Sequence, residues 1–280
     1  MKSFVTLFDE TYDQPDCRSY YQMVHALGYR NHFHAIPLFL DILSQLKERR
    51  GLRAAQVLDF ASSYGIVAAT MRYGVTVTEF LDRYQSPEID ALGPEALARD
   101  DRGWLGGRGM RAARDRYLGM DVSEAAIAYG VASGVFDAGS AEDLAAAVPS
   151  ADLAARLAEI DLIVECGSVA HLMGAATRRL LDATAARKPW IVTSPVRGNE
   201  RAEVFALLRA RGYHVETCGL PPFVHRRFSD AAEQRRAIEI AQAAGHETDA
   251  FEAGGAFYAQ LYLARPVAEA DAPITFGSTP

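Results

Sequence analysis

Short apolar runs separated by amphipathic stretches set the rhythm of this chain. "QVLDF" at 56–60, "RYLGMDV" at 116–122, "GVFDA" at 134–138, "DLIVEC" at 161–166, "PWIVTSP" at 189–195 and "YHVETCG" at 213–219 each read as a strand. Helical patterns lie between most of them. Upstream, "AIPLFLDILSQLKER" at 35–49 places Ile36, Phe39, Leu40, Leu43 and Leu46 at helical spacing, with Gly51 as the stop signal. That helix would cover the start of a sheet. In "NERAEVFALLRARG" Asn199 can cap a helix whose stripe is Val204, Leu207 and Leu208, and Gly212 sits where a left-handed C-cap belongs. A helix-like stretch at 229–244 precedes "AFYAQLYLARP" at 256–266, one long β-type run that suits a partner for the sixth strand.

Strands alternating with helices predict an α/β fold, a doubly wound, seven-stranded, mostly parallel sheet covered on both faces. Residues 1–50 read as an N-terminal helical lid or substrate segment and 51–280 as the ligand-binding domain. Within the latter, 85–115 is rich in charge and glycine ("GWLGGRG") and reads as an insertion.

Composition narrows the partners. With 280 residues the chain can bury a full core, and a formal charge of -7 without a Lys/Arg block argues against nucleic acid. No run approaches the ~18 apolar residues of a membrane span, and residues 1–10 lack the pattern of a signal peptide. The expected setting is cytoplasmic and the expected partner a small molecule, with a homodimer left open. Cys17, Cys166 and Cys218 have no metal or redox spacing and are read as reduced thiols. His32 and His34 are too close for a helical metal face, so no metal is expected.

In open parallel sheets ligands sit beyond the carboxyl ends of the strands, near the switch point. The first strand ends at Asp59 and turns through Phe60, Ala61, Ser62, Ser63, Tyr64 and Gly65, a run whose small residues allow close approach. The second ends at Asp121, with Val122 and a candidate N-cap, Ser123; a carboxylate there can accept two hydrogen bonds from a ribose diol. After the third come Gly139, Ser140 and Ala141, and after the fourth Glu165, Cys166, Gly167 and Ser168.

Taken in order, "VLDFASSYG", "GMDVSEAAIAYG", "VFDAGSAEDL" and "IDLIVECGSVAHL" resemble the cofactor-binding motifs of class I S-adenosylmethionine-dependent methyltransferases, over roughly residues 55–220. The resemblance implies a Rossmann-like fold ending in a reversed hairpin, and S-adenosylmethionine as cofactor. It places Asp59 and the Ala61–Gly65 turn along the methionine half, Asp121 on the ribose, Ser140 and Ala141 near the adenine, and Glu165 to Ser168 between cofactor and substrate. Ser140 departs from the acid the family often carries. Ala61 and Ser63 stand where the family more often has glycine, a departure that a dinucleotide site could not easily accept, because a pyrophosphate must approach the helix N-terminus.

The implied reaction is in-line methyl transfer to a small molecule. His171 and Glu165 are candidate bases, with Tyr21 a weaker third; Glu165 could instead pair with an arginine, and His171 could be a surface or capping residue. Tyr12, Tyr20, Tyr21 and Tyr29, with nearby histidines, read as an aromatic lid over a sulfonium or as an ordinary packed helix. Tyr29 and Tyr64 are expected at the cofactor, Cys166 as a small packed residue beside it. Arg197, His225 and Arg226 are candidates for a substrate carboxylate.

The segment "YDQPDCRSYYQMVHALGYR" before "VLDFASSYG" is also similar to a bacterial methyltransferase-like group that includes azetidine-2-carboxylate synthases, which cyclise S-adenosylmethionine itself. A nicotinamide-dependent oxidoreductase and a non-catalytic sensor are further alternatives.

Overall fold

The computed structural model describes residues 11, 13–167, 174–200 and 202–277. The strands among them are β1 (Gln56–Phe60), β2 (Arg116–Met120), β3 (Ala138–Ser140), β4 (Leu162–Glu165), β5 (Trp190–Thr193), β6 (Tyr213–Glu216), β7 (Phe223–Arg227), β8 (Ala256–Ala259) and β9 (Tyr262–Pro266). Seven of them form one sheet in the order β3-β2-β1-β4-β5-β9-β6, parallel except for β9, which runs antiparallel to both β5 and β6. This order and its reversed strand are those of the Rossmann-like methyltransferase fold. The strand order reverses at β1 and β4, which makes their carboxyl ends the place to look for a ligand.

Alternation along the strands divides the core into two layers. Val57, Leu162 and Val164 face the layer built by α2 (Asn31–Arg50), α3 (Ile66–Arg72) and α7 (Glu124–Ala132), whereas Leu58 and Ile163 face α8 (Ala151–Leu157) and α9 (Gly174–Ala183). Both faces are buried, so these strands read as continuous apolar runs. On α2, Phe39, Ile42 and Leu46 are fully buried in the first layer. At about 1.5–3 kcal/mol each, that burial fixes α2 to the sheet. Ahead of it lies α1 (Arg18–Ala26), whose Tyr20, Tyr21 and Val24 are buried.

Several expectations change in detail. The helix expected at 35–49 begins four residues earlier, which brings Asn31 and His32 into its first turn. The third strand starts at Ala138, because Val135 and Phe136 turn inward together as a plug beneath Gly65, Gly119 and Gly130, and two adjacent inward side chains do not fit a pleat. The run at 256–266 is two strands. β8 pairs antiparallel with β7 in a separate two-stranded sheet, and only β9 enters the main sheet. The 85–115 insertion carries α5 (Pro87–Asp90) and α6 (Pro94–Arg108); Asp101 on α6 accepts from Tyr84, Tyr129 and Arg83 and ties the segment to α4 (Val77–Arg83) and α7. The helix α10 (Ala202–Ala210) starts beyond Asn199, and α11 (Ala231–Ala243) fills most of 229–244. Among the described residues no helix is long and apolar enough to cross a membrane, and no cluster of His, Cys, Asp or Glu is arranged to hold a metal ion.

Candidate functional site

The turn after β1 has the backbone of a glycine loop without its glycines. Ala61 and Ser63 both have positive φ, 54° and 48°, a conformation that costs an L residue about 1–2 kcal/mol. Three contacts hold it there. Ser62 N donates to Met120 O (3.0 Å), Gly65 N to Ser62 O (2.9 Å) and Ser63 N to Asp121 Oδ2 (2.8 Å). A hydrogen bond to a carboxylate contributes about 1.5–3 kcal/mol, enough to offset the strain at Ser63. At Gly65, with φ 86°, a Cβ would lie 2.6 Å from both Phe136 and Val135, so this position does require glycine.

Asp59, Asp121 and Glu165 come together at the ends of β1, β2 and β4. Asp59 is buried, and one oxygen accepts from Ala68 N in α3 (3.0 Å). Burial pushes its carboxyl well above the usual range; the Ala68 bond opposes this, and the Asp121 and Glu165 charges add to it. Asp121 uses its second oxygen for Ser123 N (3.1 Å), so the carboxylate joins two loops while retaining lone pairs for a ligand. Val122 beside it is 69% exposed, an apolar lip where a flat ring could lie. At the end of β3, Ser140 Oγ accepts from Glu142 N (3.3 Å), and Ala141 follows, half-buried. Glu165 is buried and accepts a short bond from Thr193 Oγ1.

The N-terminal segment covers this half. Asp13 accepts from Ser123 Oγ (2.9 Å), at the start of α7. The Tyr64 hydroxyl exchanges hydrogen bonds with Gln14 N and O, both at 2.8 Å, and its ring packs on Tyr20 and Tyr129. Tyr64 thereby fastens the N-terminal segment to the turn after β1. Tyr21 packs between Tyr64, Phe80 and Tyr84, yet its buried hydroxyl has no partner. Burial raises that phenol's pKa, with the charges of Cys17, Tyr20, Asp101 and Asp59 pushing the same way. Ser63 Oγ in the turn is likewise buried and unpartnered.

A second cluster borders the first at the end of β4. Asn31 Nδ2 donates to Ser194 O (3.1 Å) and faces His225 Nδ1 (3.0 Å), and both residues lie against Gly167, where a Cβ would meet Asn31 Nδ2 at 3.1 Å and His225 Cε1 at 3.0 Å. Tyr29 stacks edge-on to His225 (5.1 Å) and so belongs to this half of the site. Cys166 accepts from Ser194 Oγ (3.6 Å); burial pushes its thiol up, so it packs and does not attack. The expectation that Arg197 and Arg226 bind a substrate carboxylate is corrected. Arg226 pairs with buried Glu233 (2.7 and 3.0 Å) and Arg197 with buried Glu252 (3.2 Å), leaving neither charge for an anion. His171, Ser168 and Tyr12 lie outside the described residues.

Of the residues in this cluster, the sequence does not single out Asn31 and marks His32 only as half of a pair unsuited to a metal and as one of the histidines beside the aromatic segment. The signal was "RNHFH" ahead of an apolar stripe, legible as a helix start had the helix been carried back past Ala35. A hollow of about 460 Å³ between α4, α5 and α6 is less suited to chemistry, since its Arg83 and Arg108 already pair with Asp100, Asp101 and Glu79.

No family model matches the chain, and no curated protein does. Among solved structures it is similar to a TehB-like SAM-dependent methyltransferase from Corynebacterium glutamicum (15% identity, 87% of this chain and 93% of that one, TM-score 0.39). It is also similar to a SAM-dependent methyltransferase from Geobacter sulfurreducens in complex with S-adenosyl-L-homocysteine (13%, 76% and 85%, TM-score 0.35). A third is the plantazolicin methyltransferase BpumL in complex with SAH (11%, 90% and 91%, TM-score 0.39). Likenesses this distant define neither site nor substrate. The fold stands on the chain's own strand order.

Proposed function

We propose that this chain is an S-adenosylmethionine-dependent methyltransferase acting on a small molecule. The observation that carries the reading is the convergence of Asp59, Asp121 and Glu165 at the switch point of a sheet with a reversed seventh strand, beneath an aromatic cover. Clustered carboxylates with a raised Asp59 pKa favour a cationic ligand, and a turn built with Ala61 and Ser63 leaves less room for a pyrophosphate than a glycine turn.

In this reading Asp121 accepts from the ribose hydroxyls, Val122, Ser140 and Ala141 flank the adenine, and the turn from Ala61 through Ser62 and Ser63 to Gly65 lies along the methionine half. The unpartnered hydroxyls of Tyr21 and Ser63 are donors suited to the methionine carboxylate, and Asp59 favours its ammonium. Tyr21 is then a binding residue and not a base. When bound, the cofactor supplies an electrophilic methyl on a trivalent sulfonium. Glu165, Cys166 and Gly167 lie between that half and the cluster around Asn31, so the chain's task is to hold donor and nucleophile in line at about 3–3.5 Å.

Calorimetric titration with S-adenosylhomocysteine and, in parallel, NADH tests the reading. Saturable one-to-one binding of the first and none of the second is expected. NADH binding alone would replace the methyltransferase with an oxidoreductase.

A further inference from the structure

The second cluster carries two buried polar atoms that pair with none of the described residues. Asn31 is 1% exposed, and its amide nitrogen is committed to Ser194 O and His225 Nδ1, which fixes the orientation of the amide and leaves Oδ1 with no donor. His32, the next residue, is buried too, and its Nδ1 has no partner. Buried polar atoms are nearly always paired, so two unpaired on consecutive residues call for an explanation.

Their surroundings define what could pair with them. Burial lowers the pKa of His32 to about 4; burial, then Arg226 and His32, lower that of His225 to about 3. Both rings are therefore uncharged near neutrality, each with one lone pair and one N–H, and neither offers a cation. The nearby guanidinium of Arg226 is neutralised by Glu233. The Tyr29 ring spans the two imidazoles, 5.1 Å from His225 and 6.4 Å from His32, and supplies an apolar wall. The cluster abuts Gly167 at the end of β4, the neighbour of β1.

Building on the methyltransferase reading, we propose that Asn31 and His32 form the methyl-acceptor site and select a small molecule that presents an O–H or N–H donor to Asn31 Oδ1, with His32 in the tautomer protonated at Nε2 so that its Nδ1 offers a second acceptor. Carboxylates and phosphates are selected against, since they would bring further lone pairs to atoms that need donors. His225 is a positioning residue, holding the Asn31 amide through its Nδ1.

The test uses the full chain saturated with S-adenosylhomocysteine and titrated with phenol, aniline, toluene and benzoate, while the ¹⁵N resonance of His32 Nδ1 is followed. Phenol and aniline should bind about tenfold more tightly than toluene or benzoate and shift that resonance as it gains a donor. His32→Phe should erase the preference for phenol while S-adenosylhomocysteine still binds, which shows that the variant folds. His32→Gln, with a carbonyl acceptor, should restore part of it. Equal binding of toluene and phenol, no binding of phenol, or an undiminished preference in His32→Phe would overturn the assignment. A protein that takes phenol selectively but not S-adenosylhomocysteine would sink the methyltransferase reading and keep the site.

Discussion

The two halves of the site are built on opposite principles. Around Asp59 and Asp121 the polar atoms are acidic and largely tied to backbone N–H groups of the next loops, so the geometry is set before a ligand arrives. Around Asn31 and His32 the groups are neutral, and their hydrogen-bonding capacity is left open. The first arrangement suits a ligand that is always the same, the second one whose donor must complete the site. The preset carboxylates sit at the ends of β1 and β2, and the open hydrogen-bonding capacity at the start of α2.

Asp121→Ala is the sharpest way to break the first half. It removes the acceptor of Ser63 N and of Ser123 N as well as the expected ribose contact, and should weaken S-adenosylhomocysteine binding by about 2–4 kcal/mol, read by calorimetry. An unchanged affinity would detach the carboxylate from the cofactor. Gly65→Ala should destabilise the fold by about 2–4 kcal/mol in chemical denaturation, because a Cβ there overlaps Phe136 and Val135 at positive φ.

The second half has a pH signature. A histidine whose folded pKa is depressed binds its proton more readily when unfolded, so stability is full above about pH 6.5 and falls as the pH drops toward 4 for His32 and 3 for His225. Asp59, with its raised pKa, acts in the opposite sense, and the useful quantity is a difference. Between pH 6 and 4.5 the stability of His32→Phe should fall less steeply than that of the wild type by about 1.4 kcal/mol per pH unit. Parallel slopes would mean that His32 is not buried in its neutral form. The smallest effect concerns strain: Ser63→Gly, which relieves φ 48° and keeps the bond from residue 63 N to Asp121, should stabilise by about 0.5–1 kcal/mol in thermal denaturation.

The contrast between the halves also explains what could be seen in the sequence. β1, β2, β4 and β5 are covered by helices on one or both faces, so their runs are apolar and legible, and the acids that follow them lie where strand ends lead. β7 was missed because "FVHRR" places a histidine and an arginine indoors, and a buried Arg226 is intelligible only once Glu233 is known to reach it. Asn31 reaches the end of β4 through tertiary docking of α2 against Ser194 and Gly167, 163 and 136 positions away. Local pattern carries no trace of such contacts. Tyr64 illustrates the converse: its place in the turn was legible, but its hydroxyl is claimed by Gln14, fifty residues upstream.

In the proposed reading this site holds S-adenosylmethionine for transfer of its methyl group to a second molecule. Incubating the purified protein with S-adenosylmethionine alone and separating the nucleosides by mass spectrometry, against a protein-free control, tests it most directly. Bound cofactor should stay intact until a hydroxyl- or amine-bearing acceptor is added, and then yield S-adenosylhomocysteine. Protein-dependent methylthioadenosine with a cyclic amino acid, and no acceptor present, would contradict it and show that the enzyme turns the cofactor upon itself.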